Sequence, residues 1–161
     1  MSQQLRLLRT DSQHPDFQGL ITQLDAYLRI TDGDEHDFYA QYNKLDHIHQ
    51  VVLVYEGQQA VGCGAIKAYE EGVTEVKRMF VTPECRGRGI AGKILTALEQ
   101  WAVESGFHTC ILETGIRQKA AIRLYEKSGY QSIPNYGQYA EVENSVCMQK
   151  KIAHPSSSQD A

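Results

Sequence analysis

Apolar and polar positions along the 161-residue chain change their period from segment to segment, and each period predicts an element. Strand-like segments occur at residues 5–9, where apolar and polar residues partly alternate, and at residues 51–55, 60–69 and 74–81, with glycine-containing turns between the last three. Short apolar runs bounded by turn residues are typical of strands joined in hairpins. The pattern therefore predicts a first strand and, later in the chain, a three-strand meander.

Other segments have the three-to-four-residue spacing of amphipathic helices. This spacing extends over residues 16–30, from Ile90 to Ala102 and from about Gln118 to Ser128, and a second short helix is predicted through residues 38–42. Three more strands are predicted at residues 108–113, 130–133 and 145–152. The order of elements predicts one α/β (α+β) domain over residues 4–152, with a mixed, mostly antiparallel sheet of six or seven strands flanked by helices.

Composition and charge argue against several classes of partner and binding site. The formal charge of −4 argues against nucleic acid as a partner, because phosphate backbones require a basic face. The four cysteines stand singly, without the paired spacing of zinc or iron–sulfur ligands, so we expect reduced thiols and no bound metal. There is no leader-like or membrane-spanning apolar run, and we expect a cytoplasmic protein that does not bind a membrane. Residues 153–161 are expected to form a disordered tail.

One run of residues suggests a ligand: Arg86-Gly87-Arg88-Gly89-Ile90-Ala91-Gly92, between a predicted strand and a predicted helix. Glycines let backbone N–H groups approach a ligand closely, and a helix amino terminus adds positive partial charge, so the run suits a phosphate. It fits a dinucleotide motif and nearly fits a P-loop. It also fits an acyl-CoA loop of the form Arg-x-x-Gly-x-Ala. A fourth interpretation is a tight strand-to-helix turn without a ligand.

The surrounding sequence argues against two of these interpretations. A dinucleotide fold needs its first glycine directly after the first strand, whereas residues 82–86 intervene here, although Glu113 stands where a ribose-binding acid would be expected. A P-loop needs Ser or Thr after its lysine to hold magnesium, and here Ile94 follows Lys93. The predicted three-strand meander is also foreign to the parallel sheet of a P-loop protein.

Three segments in order resemble the GNAT superfamily of N-acetyltransferases over roughly residues 4–152. Residues 75–81 (Glu-Val-Lys-Arg-Met-Phe-Val) are similar to the family's fourth strand, residues 86–91 to its pyrophosphate loop, and residues 121–130 to its last helix and the following strand. The resemblance implies the GNAT fold and an acyl-CoA-dependent N-acetyltransferase with acetyl-CoA as co-substrate. The chain departs from the family at Gln118, where many members carry Asn facing the cofactor.

The resemblance also implies a cofactor site. Met79, Phe80 and Val81 would pair with the pantetheine arm through their backbone, as an added strand does. A bulge in that strand would free a backbone N–H near Met79 or Phe80 to polarise the thioester carbonyl. The other residues implied to contact acetyl-CoA are Arg86, Gly87, Arg88, Gly89, Ile90, Ala91, Gly92, Gln118, Ala121 and Tyr125.

Acetyl transfer needs a proton donor for the departing thiolate and a base for the amine. The resemblance implies that a tyrosine reaches the CoA sulfur, and Tyr125 matches its position, although helical periodicity alone favours a core tyrosine. Glu75 and Glu113 are the candidate bases, acting through water, and salt bridges with nearby cationic residues are the alternative role for both. The chain has no discernible nucleophile–histidine pattern, so direct transfer in a ternary complex is favoured over an acyl-enzyme.

Acceptor residues are expected in the variable segments. Asp32 and Glu35 lie in an acidic stretch that would favour a cationic amine, or would form a solvated helix start. Tyr136 and Tyr139 lie in a late loop and suit a small, partly apolar acceptor, or a contact in a homodimer. The sequence therefore predicts acetylation of a small-molecule amine. The alternatives are a protein lysine or amino terminus as acceptor, and a non-catalytic acyl-CoA sensor.

Overall fold

The computed structural model describes residues 4–32 and 48–153, which form seven strands and three α-helices. The helix predicted through residues 38–42 and the tail from residue 154 onward lie outside the described residues. Every other predicted element is present, with its bounds shifted by one or two residues at most. None of the described helices is long and apolar enough to cross a membrane. In chain order the elements are β1 (Leu5–Thr10), α1 (Pro15–Asp32), β2 (Gln50–Glu56), β3 (Gln59–Glu70), β4 (Val73–Val81), α2 (Ile90–Glu104), β5 (Thr109–Gly115), α3 (Lys119–Lys127), β6 (Gln131–Ile133) and β7 (Ser145–Lys151).

The seven strands form one sheet in the order β1-β2-β3-β4-β5-β7-β6. Strands β1 to β4 pair antiparallel in turn, β5 pairs antiparallel with β7, and β6 closes the far edge antiparallel to β7. The pair β4 and β5 is parallel, with α2 as the crossover between them. The prediction of a mixed, mostly antiparallel sheet is confirmed.

The parallel strands β4 and β5 separate soon after they begin. Their register covers three pairs, from Val73–Thr109 to Glu75–Ile111. Beyond these pairs, β4 continues along β3 and β5 continues along β7 within the described sheet. The two strands therefore open a wedge in the middle of the sheet, and the backbone of β4 beyond Glu75 has an edge that no neighbouring strand of the described residues covers.

Apolar side chains on the two faces of the sheet form separate cores. On one face α2 buries Ile90, Ile94 and Leu98 against the sheet, together with residues of α3. On the other face α1 buries Phe17 and Leu20. Each fully buried Ile, Leu or Phe contributes roughly 1.5–3 kcal/mol to folding, so both helices are firmly seated. This packing places α1 across β4 and the amino terminus of α2 beside the wedge.

Candidate active site

Strand β4 carries a bulge where it borders the wedge. The β3–β4 register shifts between Cys63 and Ala65, where two residues of β4, Arg78 and Met79, oppose Gly64 alone. Arg78 has a φ of 59°, in the left-handed region that residues with a side chain rarely adopt. The irregularity agrees with the bulge predicted for this strand, and it leaves the local backbone out of the regular ladder.

Two residues of β3 hold the bulge in place. A Cβ on Gly64 would lie 2.5 Å from the sulfur of Met79 and 2.7 Å from a methyl carbon of Ile94, which is closer than such atoms pack. The Cys63 thiol donates to the carbonyl oxygen of Arg78 at 3.4 Å. Because glycine leaves room on the α2 side, Met79 packs there, while the side chain of Arg78 is directed toward α1.

The glycine run connects β4 to α2 after a short 3-10 turn at Pro83–Cys85. Gly87 and Gly89 have φ of 80° and 79°, a conformation that glycine adopts freely, and Gly89 is the amino-terminal cap of α2. The helical ladder begins with the bond from Lys93 N to Gly89 O at 3.2 Å. The N–H groups of residues 90–92 therefore have no helical carbonyl four residues back, and they lie at the positive end of the helix dipole.

The two arginines of the run have different contacts. The Nε–H of Arg86 donates to the carbonyl of Val81 at 3.0 Å, and its guanidinium lies 5.1 Å from the ring centre of Tyr27 in α1. Arg88 instead forms an ion pair with Glu56 of β2 at 2.5 Å. Arg86 borders the cavity that fills the wedge, whereas the structure does not bring the Arg88 side chain to it. The predicted charge contact of Arg88 with the cofactor stays a prediction.

A cavity of about 460 Å³ occupies the wedge and joins the glycine run to the bulge. This volume is within the range of small-molecule sites. At Gly92 no protein atom of the described residues lies within 4 Å of where a Cβ would stand, so the first turn of α2 leaves space there. The residues predicted for the site that line the cavity are Glu75, Met79, Phe80, Val81, Arg86, Gly87, Gly89, Ile90, Ala91, Gly92, Glu113, Gln118, Ala121, Tyr125 and Tyr139.

Tyr125 of α3 borders this cavity and is 6 % exposed. Its ring packs edge-on against Tyr130, with 5.7 Å between the ring centres. Burial raises the pKa of Tyr125 above its ordinary value of 10.0, and the negative charge of Glu113 raises this pKa further. The phenol therefore remains protonated in the neutral range, and its O–H is available to donate a hydrogen bond.

Glu75 and Glu113 border the cavity from its two diverging strands. Glu75 of β4 is 7 % exposed, accepts a hydrogen bond from the Tyr136 hydroxyl at 2.7 Å and lies 3.7 Å from Nζ of Lys77. Glu113 of β5 accepts a hydrogen bond from the Ser145 hydroxyl at 2.6 Å. Both carboxylates are thus held in position by neighbouring side chains while they face the same space.

Known proteins are similar to this chain in sequence and in fold. The Acetyltransferase (GNAT) family model matches residues 14–130, which is most of the chain. The chain belongs to the GNAT family of acetyltransferases. An IAA acetyltransferase from Azospirillum brasilense is 41% identical to it over 141 residues, which cover 83% of this chain and 88% of the relative.

Solved structures agree with the family. A Klebsiella pneumoniae protein assigned as an acyl-CoA N-acyltransferase matches this GNAT acetyltransferase with a TM-score of 0.79 and 34% identity, over 92% of this chain and 98% of the other. A GNAT family acetyltransferase from Elizabethkingia anophelis with acetyl-CoA bound has the same fold, with a TM-score of 0.67 and 17% identity over 91% of this chain and 97% of the other. The predicted enzyme class is confirmed, and the dinucleotide and P-loop interpretations of the glycine run are wrong.

In this GNAT acetyltransferase the segment after β6 forms one side of the cavity. Tyr136 packs edge-on against both Tyr69 and Tyr139, with 5.3 and 5.9 Å between ring centres. The side-chain amide of Asn135 holds the segment, because it donates to two backbone carbonyls further along the chain at 2.8 and 3.1 Å. Tyr139 is 2 % exposed and borders the cavity, and Tyr136 is connected to it through the bond to Glu75.

Two charged residues beside the cavity of this GNAT acetyltransferase, Arg78 and Asp25, are not among the predicted site residues. The side chain of Arg78 is 2 % exposed, Arg78 borders the cavity, and its Nη2 lies 2.5 Å from Oδ1 of Asp25 in α1. A local signal for Arg78 exists, since Lys77 and Arg78 are consecutive charges inside an apolar strand and break its two-residue alternation. Asp25 has no such signal, because α1 reaches the site only through tertiary packing.

The predicted acidic acceptor residues are not tested by the geometry. Asp32 is the last residue of α1, and nothing of its side chain is described. Glu35 lies outside the described residues. The part of α1 that does border the cavity is apolar and aromatic, and it consists of Leu24, Tyr27 and Leu28.

Proposed function

We propose that this enzyme transfers the acetyl group of acetyl-CoA directly to the amine of a small molecule, with both substrates bound at once. The proposal is carried by one observation: a glycine loop at a helix amino terminus, a bulged strand edge and a buried protonated tyrosine meet in a single cavity. Acetyl-CoA consists of a pyrophosphate, a peptide-like arm and a thioester, and each feature suits one of these parts.

The loop and β4 would hold acetyl-CoA, which supplies an activated acetyl group as a thioester. The N–H groups of residues 90–92 suit the pyrophosphate, and the positive φ of Gly87 and Gly89 lets the loop backbone approach it. The edge of β4 beyond Glu75 suits the amide groups of the pantetheine arm, as in strand addition. A backbone N–H at the bulge of residues 78–79 would polarise the thioester carbonyl.

Tyr125 is proposed as the donor to the CoA sulfur. As the amine nitrogen forms its bond to the acetyl carbon, the carbon–sulfur bond breaks and its electron pair goes to sulfur. The raised pKa keeps the Tyr125 hydroxyl protonated, so that it can donate a hydrogen bond to the developing thiolate. Since the same burial also makes a thiolate more basic, a proton from Tyr125 can then complete the thiol.

The amine also loses a proton when it reacts, because an ammonium ion has no lone pair. Glu75 or Glu113 would accept this proton through a water molecule, since both border the cavity. Separate Glu75→Gln and Glu113→Gln variants distinguish the two. The variant that lacks the base is expected to lose turnover at neutral pH and to recover part of it at higher pH, where the amine is already uncharged.

A small acceptor is supported by the segment after β6. Tyr136 binds Glu75 and packs against Tyr69, so this segment lies across one side of the cavity and leaves less room for a peptide chain. The relative from Azospirillum brasilense, an IAA acetyltransferase, is consistent with a small-molecule acceptor. A protein acceptor would require this segment to move away, and a non-catalytic sensor would have no need of Tyr125.

Thermal unfolding with four ligands tests the proposal. Acetyl-CoA and CoA at about a hundred times their dissociation constants should each stabilise the protein by roughly 2.7 kcal/mol, whereas NAD and ATP with magnesium should not. A panel of small amines is then assayed for release of the CoA thiol. Stabilisation by acetyl-CoA without thiol release for any amine, together with acetylation of a peptide library, would overturn the small-molecule acceptor. Binding without transfer to either class would favour the sensor.

A further inference from the structure

Arg78 occupies a position that is unfavourable for an arginine in two ways. Its φ of 59° suits glycine or asparagine better than a long side chain. Its side chain is 2 % exposed, and its Nε has no hydrogen-bond partner in the part of the chain that the structure describes. A buried charged donor without an acceptor is destabilising. Strain and unsatisfied groups of this kind are expected where the residue has a function.

The ion pair with Asp25 does not account for this arginine. The bond between Nη2 of Arg78 and Oδ1 of Asp25 occupies a single donor of a guanidinium that carries several. The Asp25 side chain is 45 % exposed and so remains largely hydrated. Arg78 is one of the residues that line the cavity, so a ligand bound there is the source from which a second acceptor could come.

The bulge places Arg78 on the same face of β4 as a carboxylate. Val76 and Met79 pack into the core under α2, which leaves Glu75 and Lys77 on the opposite face. There Nζ of Lys77 lies 3.7 Å from Oε1 of Glu75. Arg78 is directed to this face as well, toward α1. A carboxylate that suits an amine and a guanidinium that suits an acid therefore border one cavity, beside the bulged backbone.

We propose that Arg78 binds a carboxylate of the acceptor, so that the acceptors of this enzyme are amino acids rather than polyamines or other purely cationic amines. The inference rests on the proposed function for the amine half of the acceptor. Guanidinium and carboxylate groups form paired, charge-assisted hydrogen bonds. An acceptor without the carboxylate would leave the buried guanidinium unsatisfied, and this difference is a strong source of discrimination.

Matched acceptor pairs test the proposal. Each free L-amino acid is compared with its carboxamide, which keeps the amine and the side chain but removes the negative charge, and kcat/KM is measured from thiol release with acetyl-CoA. The best amino acid should exceed its amide by roughly 10- to 100-fold, as expected for a hydrogen bond between charged groups. In Arg78→Met this ratio should fall toward one. Arg9→Met is the matched control, because Arg9 pairs with Glu104 at the surface and does not border the cavity; its ratio should stay at the wild-type value.

Two further variants separate binding from a structural tether. Arg78→Gly is a variant that should still fold, since glycine adopts a φ of 59° without strain. It should also lose the preference for the acid over the amide. Asp25→Asn removes the ion pair but keeps the guanidinium, so its preference for the acid should persist. If Arg78 only ties β4 to α1, then Asp25→Asn and Arg78→Gly will slow the acid and the amide equally, and this result overturns the carboxylate subsite.

Binding of the amino acids to the CoA-bound protein, measured by calorimetry, keeps the two proposals apart. Binding of L-amino acids that Arg78→Met abolishes, without any thiol release, would support the subsite and overturn acetyl transfer to these acceptors. Thiol release that is equally fast for acids and amides would support transfer and overturn the subsite. Failure of every amino acid to bind, and of every acid to exceed its amide, would also overturn the subsite.

Discussion

The side of the cavity proposed for the cofactor and the side proposed for the acceptor are built in different ways. The glycine loop (residues 86–92) takes its shape largely from its own backbone, since Gly87 and Gly89 have positive φ and Arg86 donates to a carbonyl only five residues back; Arg88 adds one longer-range pair, with Glu56 of β2. The acceptor wall (Asp25, Glu75, Arg78 and Tyr136) depends on side-chain pairs between distant segments. Its members are separated by 53 residues in the pair Arg78–Asp25 and by 61 residues in the pair Tyr136–Glu75.

This difference has a consequence for specificity. A loop made of backbone N–H groups recognises phosphate with little dependence on side-chain identity, so under the proposed function it would hold the same co-substrate whatever the acceptor is. The acceptor wall changes whenever either member of a pair changes, and such a change leaves the glycine loop intact. Acceptor choice can therefore vary between related acetyltransferases while the co-substrate stays the same.

Substitution of Tyr125, which lies where the two sides meet, should have the largest effect. In Tyr125→Phe the CoA sulfur loses its proposed donor, and kcat should fall by about a hundredfold or more, as is typical for loss of a general acid. Acetyl-CoA affinity should be unchanged, because the loop and β4 are untouched. Steady-state kinetics and calorimetry measure the two quantities. Wild-type turnover in this variant would remove the acid role.

Tyr130→Phe is the matched control for that experiment. Tyr130 packs against Tyr125 and is equally buried, but its hydroxyl donates to Glu99 at 2.9 Å and does not border the cavity. Removing a hydrogen bond to a charged group should lower the free energy of unfolding by roughly 1.5–3 kcal/mol and leave kcat near the wild-type value. A large loss of kcat here would mean that ring packing, and not the Tyr125 hydroxyl, controls turnover.

Gly89→Ala should damage the cofactor side alone. A side chain at a φ of 79° costs about 1–2 kcal/mol, and relief of this strain would move the loop away from its binding conformation. The KM for acetyl-CoA should rise about tenfold, since 1.4 kcal/mol corresponds to one factor of ten. The KM for the acceptor should not change. Gly19→Ala in α1 is the control, because a Cβ there has open space and an ordinary φ, and its acetyl-CoA kinetics should equal those of the wild type.

The features that could be predicted from sequence are those set by local contacts, as in the glycine loop. Hairpin turns, helical stripes and the glycine run act over a few residues, so the meander of β2 to β4 and α2 with its loop could be predicted from local patterns. The site position of Tyr125 followed from the resemblance of residues 121–130 to a known helix and strand. The bulge followed from the resemblance of residues 75–81 to a known strand. The physical cause of the bulge could not be predicted from local sequence, because Gly64 and Cys63 contact it from the neighbouring strand β3.

Glu75 and Tyr136 were predicted as site residues, but the pairing within the acceptor wall could not be predicted because it consists of long-range contacts. Nothing local indicates that Asp25 of α1 meets a guanidinium of β4, or that Tyr136 binds Glu75. Arg88 is the reverse case. Its place inside a glycine run suggested a cofactor contact, which stays a prediction, whereas the ion pair that it forms with Glu56 of β2 had no local signal.

Tyr136→Phe should affect the acceptor side with a smaller change. It removes the hydrogen bond to Glu75 at 2.7 Å and keeps the packing of the ring against Tyr69 and Tyr139. Loss of a hydrogen bond to a charged group corresponds to roughly tenfold, which we expect in kcat/KM for the acceptor. The KM for acetyl-CoA should remain the same. An increase of the acetyl-CoA KM alone would place Tyr136 on the cofactor side and contradict its assignment to the acceptor wall.

Gly92→Ala should produce effects of opposite sign on stability and binding. Alanine is the better helix former by about 0.5–1 kcal/mol, and no protein atom of the described residues lies within 4 Å of the new Cβ, so the free energy of unfolding without ligand should rise slightly. The methyl group would occupy cavity space beside the N–H groups of α2, so acetyl-CoA should stabilise this variant less than it stabilises the wild type. Thermal unfolding with and without acetyl-CoA measures both. An equal shift by acetyl-CoA in both proteins would mean that the ligand does not pass over the first turn of α2.

The smallest expected effect concerns pH: kcat should not fall as the pH rises into the moderately alkaline range. The Tyr125 phenol is protonated below its pKa, and burial and Glu113 place this pKa above the ordinary 10.0, so the donor should stay intact throughout the neutral and moderately alkaline range. The sign for stability is the same: because the folded-state pKa is the higher one, the contribution of Tyr125 is complete below pH 10.0 and is lost as the pH rises above it. A pH profile of kcat at saturating substrates checks this. A fall of kcat that starts well below pH 10.0 and is absent in Tyr125→Phe would show that the phenol is exposed to water during turnover, and that the cofactor side opens more than this cavity implies.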